Sequence, residues 1–140
     1  MSRILGIDYG TVRIGLALSD PTGTLASPLP CWVNKSIPQI RTSLAELVQN
    51  HGISKIIVGL PRNMDGSYGP AAEKVRSFIS QIQPNLEIPI ETQDERLTTV
   101  QASKQLSSMG LSQRDLRMKV DSSSASLILQ QYLDRKSLTA

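Results

Sequence analysis

Cysteine, histidine and aromatic residues are all scarce in this chain, and each shortage removes a class of function. The one cysteine, Cys31, can close no internal disulfide and has no metal-ligand partner nearby, which suits a reducing cytoplasm and excludes a disulfide scaffold or a zinc module. Aromatics make up 4% of the chain, too few for a single-strand binder built on stacked aromatic platforms. The one histidine, His51, falls at the end of a helical pattern and reads as a surface residue. No apolar run approaches transmembrane length, and residues 3–10 lead straight into a strand pattern with no signal peptide ahead of it. Also missing are the glycine-rich loops of nucleotide-binding proteins and the Gly-x-Ser-x-Gly turn of serine hydrolases.

What remains is an ordinary globular composition, 39% hydrophobic and 19% charged over 140 residues. That length is enough for one domain with a real core. The expected domain is 1–135, with 136–140 as a flexible C-terminal tail. The net charge is a modest +3, but its distribution is uneven. Residues 96–119 carry Arg96, Lys104, Arg114, Arg117 and Lys119 against a single acid, Asp115, a local charge of +4. Such a run suits a polyanionic partner, and it equally suits a solvated helix face.

The chain opens as a three-strand meander. Residues 3–8 form a short apolar run, and 12–19 alternate Val12, Ile14, Leu16 and Leu18 against Arg13, Gly15, Ala17 and Ser19, the period of a strand. Tyr9-Gly10-Thr11 is short enough for a hairpin, and Asp20-Pro21-Thr22-Gly23 is a second turn. A third strand follows within 25–33, interrupted by Pro28 and Pro30. Ile37, Ile40, Leu44, Leu47 and Val48 share one face of a helix that starts near Ser36-Ile37-Pro38. Residues 56–58 form a buried strand, and a second helix buries Ala71, Val75, Phe78, Ile79 and Ile82 before Pro84. A fifth strand is expected over 86–92, then helices over 97–109 and 121–133. The implied fold class is α/β: a five-stranded mixed sheet with helices on both faces.

Three acids stand out. Asp8 shares the face of Ile4 and Gly6 in a core strand, where aspartate is disfavoured, and Gly6 and Gly10 leave room for a ligand beside it. An aspartate at a strand end can also cap the next turn. Asp121 lies four residues before Ala125, on the inward stripe of Ala125, Ile128, Leu129, Tyr132 and Leu133; a helix N-cap is its ordinary alternative. Glu95 follows the fifth strand beside Arg96, and spacing alone does not separate it from Asp94. Carboxylates gathered from separate elements suit a hydrated Mg²⁺ or Mn²⁺, whose bound water needs no histidine base to cut a phosphodiester. The loop from Gly59 to Ser67 precedes a helix and can meet a phosphate through its backbone N–H groups and Arg62, though it also reads as a plain strand-to-helix connection.

These residues fall into ordered motifs: Gly6-Ile7-Asp8-Tyr9-Gly10 with Arg13, Gly15 and Ala17-Leu18-Ser19-Asp20; Val58-Gly59-Leu60-Pro61 and Asn63-Met64-Asp65-Gly66; Asp94-Glu95-Arg96-Leu97-Thr98-Thr99; and Asp121 with Ala125 ahead of Ile128-Leu129-Gln130-Gln131-Tyr132-Leu133. Together they resemble the YqgF-type, or RuvX-type, proteins, Holliday-junction-resolvase-like members of the ribonuclease H superfamily. The resemblance spans nearly the whole chain. It implies a ribonuclease H-like fold and a cytoplasmic, metal-dependent nuclease that matures the 5′ end of pre-16S rRNA in ribosome biogenesis. It selects Glu95 over Asp94 and makes Asp8, Glu95 and Asp121 the catalytic and metal-holding residues, with Mg²⁺ or Mn²⁺ as cofactor. Ser122-Ser123-Ser124 departs from the family's alanine-rich run, and no further carboxylate follows Asp121 within a turn, so a second ion would be held loosely.

Arg13, Arg62, Arg96, Arg114, Arg117 and Lys119 are the expected phosphate contacts. The expected partner is structured RNA, the pre-16S rRNA of a ribosomal subunit precursor, bound by a monomer or homodimer away from membranes. Two alternatives compete: a resolvase of branched DNA, which needs a dimer to cut two strands symmetrically, and a non-catalytic RNA-binding assembly factor.

Overall fold

The computed structural model describes residues 3–62, 65, 67–94 and 124–136. Strand β1 (Arg3–Tyr9) turns back into β2 (Arg13–Ser19), and β3 (Ala26–Val33) completes the meander. Helix α1 (Ile37–His51) returns the chain to β4 (Ile53–Leu60), and α2 (Pro70–Ile82) with a short 3₁₀ turn leads to β5 (Ile90–Asp94). The last described helix, α3, runs over residues 124–136. The sheet order is β3-β2-β1-β4-β5, with β1 antiparallel to β2 and parallel to β4, and β4 parallel to β5. Among the described residues, no helix is long and apolar enough to cross a membrane.

The mixed topology follows from the connections. Hairpin-length turns can join only antiparallel neighbours, whereas α1 and α2 are long enough to carry the chain back for parallel pairing. Strand β1 is therefore central and buried on both faces, which is why it reads as an unbroken apolar run. Leu5 and Ile7 face α1 and α2, in a core with Ile40, Leu44, Val75, Phe78 and Ile82. Ile4 faces the other way, with Ala17 and Ile57, onto Ala125, Ile128, Leu129, Tyr132 and Leu133 of α3. Each fully buried aliphatic of this kind contributes about 1.5–3 kcal/mol. Helices thus cover both faces, as the alternation predicts.

The sequence misplaces some details. Ala71 is exposed and Ala72 is the buried alanine of α2, because the helix begins on Pro70 and its stripe is 72, 75, 78 and 82. Strand β4 is longer than 56–58, since Ile53 already pairs with Arg3. Strand β5 starts four residues later than expected, because Gln83–Asn85 continues the helix as a 3₁₀ turn before the chain can extend. The expected helix over 97–109 lies outside the described residues, and α3 runs one residue into the expected tail. Pro28 and Pro30 are tolerated because β3 is an edge strand paired with β2 alone, across a bulge between Ile14 and Leu16.

Candidate active site

The C-terminal ends of β1, β4 and β5 reach the same sheet edge, since all three run parallel. Asp8 sits at the end of β1, half-buried, and two neighbouring positions carry no side chain. Gly15 is its cross-strand partner on β2, and Gly59 is the next β4 residue after the pair Ile7 and Val58. Gly59 in turn pairs with Gln93 of β5, so Gly15, Asp8, Gly59 and Gln93 form one row across four strands. Paired residues point to the same face of a sheet. Here it is the α3 face, because a Cβ placed on Gly6 would lie 2.9 Å from Leu129 Cβ and 3.2 Å from the Ala125 carbonyl.

Helix α3 runs antiparallel to β1. Leu133 lies by Ile4 and Ala125 by Gly6, so the helix start points toward the Asp8 edge. The sequence reading is corrected on one point. Gly6 leaves no ligand space because α3 fills it, and a Cβ on Gly10 would run into the Arg13 carbonyl oxygen. The side-chain-free positions beside Asp8 are Gly15 and Gly59 instead.

Arg13 opens β2 two residues before Gly15, so strand alternation puts it on the Asp8 face at the same edge. The hairpin carrying both is fastened by Asn34, whose side-chain amide donates to the Gly10 carbonyl at 2.7 Å and whose backbone N–H donates to the Val12 carbonyl at 2.8 Å. Sequence reasoning missed Asn34, and no local signal marks it, since the contact closes a gap of 24 residues.

Arg62 follows β4 and lies elsewhere on that edge. Its Nη1 is 3.2 Å from Asp94 Oδ2. In β5, Glu91 and Gln93 meet Tyr132 and Arg135 of α3, so alternation turns Asp94 to the opposite face. Asp94 is therefore engaged by Arg62 away from the Asp8 row. In the loop beyond, the Asp65 carboxylate accepts from the Ser67 backbone N–H at 2.9 Å and hydroxyl at 2.6 Å, bonds that hold its pKa below the usual carboxylate value, the hydroxyl bond being the larger cause. Glu95, Asp121, Arg96, Arg114, Arg117 and Lys119 lie outside the described residues. Among the described residues, no three His, Cys, Asp or Glu side chains gather. His51 ends α1 beside Gly52, whose carbonyl bonds the Arg3 N–H at the start of β1, so this histidine belongs to the far edge of the sheet.

The donor chemistry of the expected set is uniform. All its donors are carboxylate oxygens, hard ligands that fit Mg²⁺ or Mn²⁺ and not a thiolate- or imidazole-seeking metal. Of that set the structure brings Asp8 to the edge where three strand ends and the start of α3 converge.

The chain matches, over residues 2–135, a family model described as "RuvX: Holliday junction resolvase". A protein of Moorella thermoacetica, named "Putative pre-16S rRNA nuclease", is 46% identical over 133 residues, covering 95% of each chain. A relative of the same name from Pelotomaculum thermopropionicum is 45% identical, covering 94% of this chain and 86% of its own. Among solved structures, T. thermophilus RuvC in complex with a Holliday junction substrate aligns with a TM-score of 0.57 at 16% identity, over 97% of this chain and 96% of that one. The Fowlpox virus resolvase bound to Holliday junction DNA aligns with a TM-score of 0.53 at 13% identity, over 96% and 98%. At such identities the structural likeness speaks for the fold alone, which is ribonuclease H-like.

Proposed function

The chain belongs to the RuvX family, described as Holliday junction resolvases, and from that premise we propose that it is a cytoplasmic, metal-dependent nuclease that processes the 5′ end of pre-16S rRNA. The observation that carries this reading is the Asp8 row: one carboxylate at the end of the central strand, flanked by Gly15 and Gly59, where the start of α3 approaches. The names of the relatives from Moorella and Pelotomaculum support the substrate.

In this proposal Asp8, Glu95 and Asp121 hold Mg²⁺ or Mn²⁺. When bound, such an ion makes water acidic enough to attack and offsets charge on the phosphate. Asp8 holds its position because β1 is paired on both sides and buried on both faces, which fixes the carboxylate better than a loop would. Arg13, on the same face, meets a phosphate beside the scissile bond. Arg96, Arg114, Arg117 and Lys119 extend the contact along the substrate backbone and set affinity without reading sequence. With His51 at the far edge, the proton of the attacking water passes to a carboxylate or to solvent, not to an imidazole.

The test is cleavage of a precursor RNA bearing its 5′ extension, with Mn²⁺ titrated against wild type and Asp8→Asn in parallel. Outer-shell substitutions at metal sites cost about 10–100-fold, so loss of a direct ligand is expected to cost about 100-fold or more. Equal cleavage by both proteins assigns the activity to a contaminant and ends the proposal. The family description favours one second reading, cleavage of branched DNA. A strictly monomeric protein that cuts RNA and leaves four-way junctions intact excludes it.

A further inference from the structure

Tyr68 stands just ahead of α2 with 43% of its surface exposed, and two arginines share its ring. The Arg62 guanidinium carbon is 5.3 Å from the ring centroid and that of Arg76, on α2, is 4.9 Å away. Among the described residues, each arginine also meets a carboxylate through Nη1: Arg62 with Asp94 at 3.2 Å, and Arg76 with Glu73 at 2.9 Å. A ring this exposed seals no core, and tying a loop to a helix would need one arginine, not two. A cation–ring contact does not use up the N–H donors of a guanidinium, and it is those donors that grip a phosphate. Both ion pairs are at the surface, the Glu73 side chain being 71% exposed, and pairs of that kind are weak enough for a phosphate to displace.

The position matters as much as the composition. Arg62 is two residues past the end of β4, the strand beside β1, and Asp94 closes β5. A strand that leaves Asp8 and crosses the ends of β4 and β5 to the opposite face of the sheet would meet α2 and these three residues. The two centroid distances keep the guanidinium carbons within about 10 Å of each other, close enough to meet neighbouring phosphates of one strand.

We infer that Arg62, Tyr68 and Arg76 form a second phosphate-binding subsite, which grips the backbone of the nucleic-acid strand a few nucleotides from the scissile bond. Tyr68 is its positioning residue, fixing the spacing of the two guanidiniums. This subsite rests on the nuclease reading of the Asp8 edge.

The test uses the full chain carrying Asp8→Asn, so that the substrate survives, titrated with a fluorescently labelled single-stranded RNA over a series of salt concentrations. Adding Arg76→Ala is expected to weaken binding about 5–10-fold and to lower the slope of log affinity against log salt by about 0.7, the loss of one phosphate contact on a single strand. Arg76→Lys keeps the charge and the slope but loses the fork, and Tyr68→Leu weakens binding about 2–4-fold with the slope intact. In the otherwise wild-type enzyme, Arg76→Ala raises KM and leaves kcat in place, as removal of uniform binding does. Circular dichroism checks the fold; should Arg76→Ala not fold, Arg76→Lys and Tyr68→Leu carry the comparison. Unchanged affinity and slope in the folded variants overturn the subsite while the parent still binds RNA and wild type still cuts it. A parent that binds no RNA overturns the subsite and the nuclease reading together.

Discussion

The Asp20 carboxylate organises the turn between β2 and β3. It accepts from the Thr22 hydroxyl and from the backbone N–H groups of Thr24, at 2.8 Å, and Leu25, at 3.0 Å, while Gly23 takes the left-handed conformation that the turn requires. Those bonds, the Thr22 hydroxyl first, favour the charged form and lower the pKa from 3.8 to about 2. A folded-state pKa below the unfolded one contributes stability that is present above pH 3.8 and lost as pH falls toward 2. The melting temperature of wild type is thus expected to fall across that window, and Asp20→Asn should lose part of that dependence. If the variant's profile parallels wild type between pH 5 and pH 2, other carboxylates govern the acid limb.

Between elements, α3 and β1 approach each other closely at Gly6. Without a side chain at Gly6 the helix lies directly on the strand, with Leu129 and the Ala125 carbonyl in the space a Cβ would take. Lower on the same face, Lys55 Nζ donates to the Tyr132 hydroxyl at 2.9 Å and sits 2.6 Å from Glu91 Oε2, so β4, β5 and α3 share one polar junction. The Glu91 bond chiefly raises the Lys55 pKa, and the Lys55 bond chiefly lowers that of Glu91. The pair's contribution therefore spans the neutral range; it fades below the carboxylate window as Glu91 protonates and above the lysine window as Lys55 loses its proton. Gly6→Ala is expected to push α3 from the sheet and cost about 1–3 kcal/mol in urea unfolding, the usual range for overpacking. Because the start of α3 points to the Asp8 edge, cleavage should fall as well. A variant as stable and active as wild type would mean that α3 can shift at little cost.

At the scale of the molecule, the parallel pairing of β1, β4 and β5 decides which groups meet. It places Asp8, Arg13, Arg62 and Asp94 on one edge and sends His51 to the other. The metal binding proposed for that edge would link to folding by mass action. Mn²⁺ at 100 times its dissociation constant adds about 2.7 kcal/mol, which for a domain of this size raises Tm by several degrees. A differential-scanning comparison of chelator-treated and Mn²⁺-loaded protein reads that shift, and Asp8→Asn should abolish most of it. A shift of equal size in the variant would place the ion elsewhere.

Among the described residues, the local periods of the sequence settled the element types. Alternation in 12–19 and the stripe of Ala125, Ile128, Leu129, Tyr132 and Leu133 each follow from burying one face, which is a short-range requirement. The inward setting of Asp8 was legible for the same reason, as was the turn at Asp20. Ala72 in place of Ala71, and the late start of β5, were not, because a helix frame and a 3₁₀ extension depend on what the helix packs against. Nor could spacing tell Asp94 from Glu95; of the two only Asp94 lies among the described residues, where strand alternation turns it from the Asp8 row and Arg62 pairs with it across 32 residues. Asn34 on Gly10, Gly59 beside Asp8, and Arg76 against Tyr68 likewise arise from the sheet order and the docking of α2. Periodicity is a property of neighbours along the chain, whereas a site is a property of neighbours across it, and only the folded sheet supplies those.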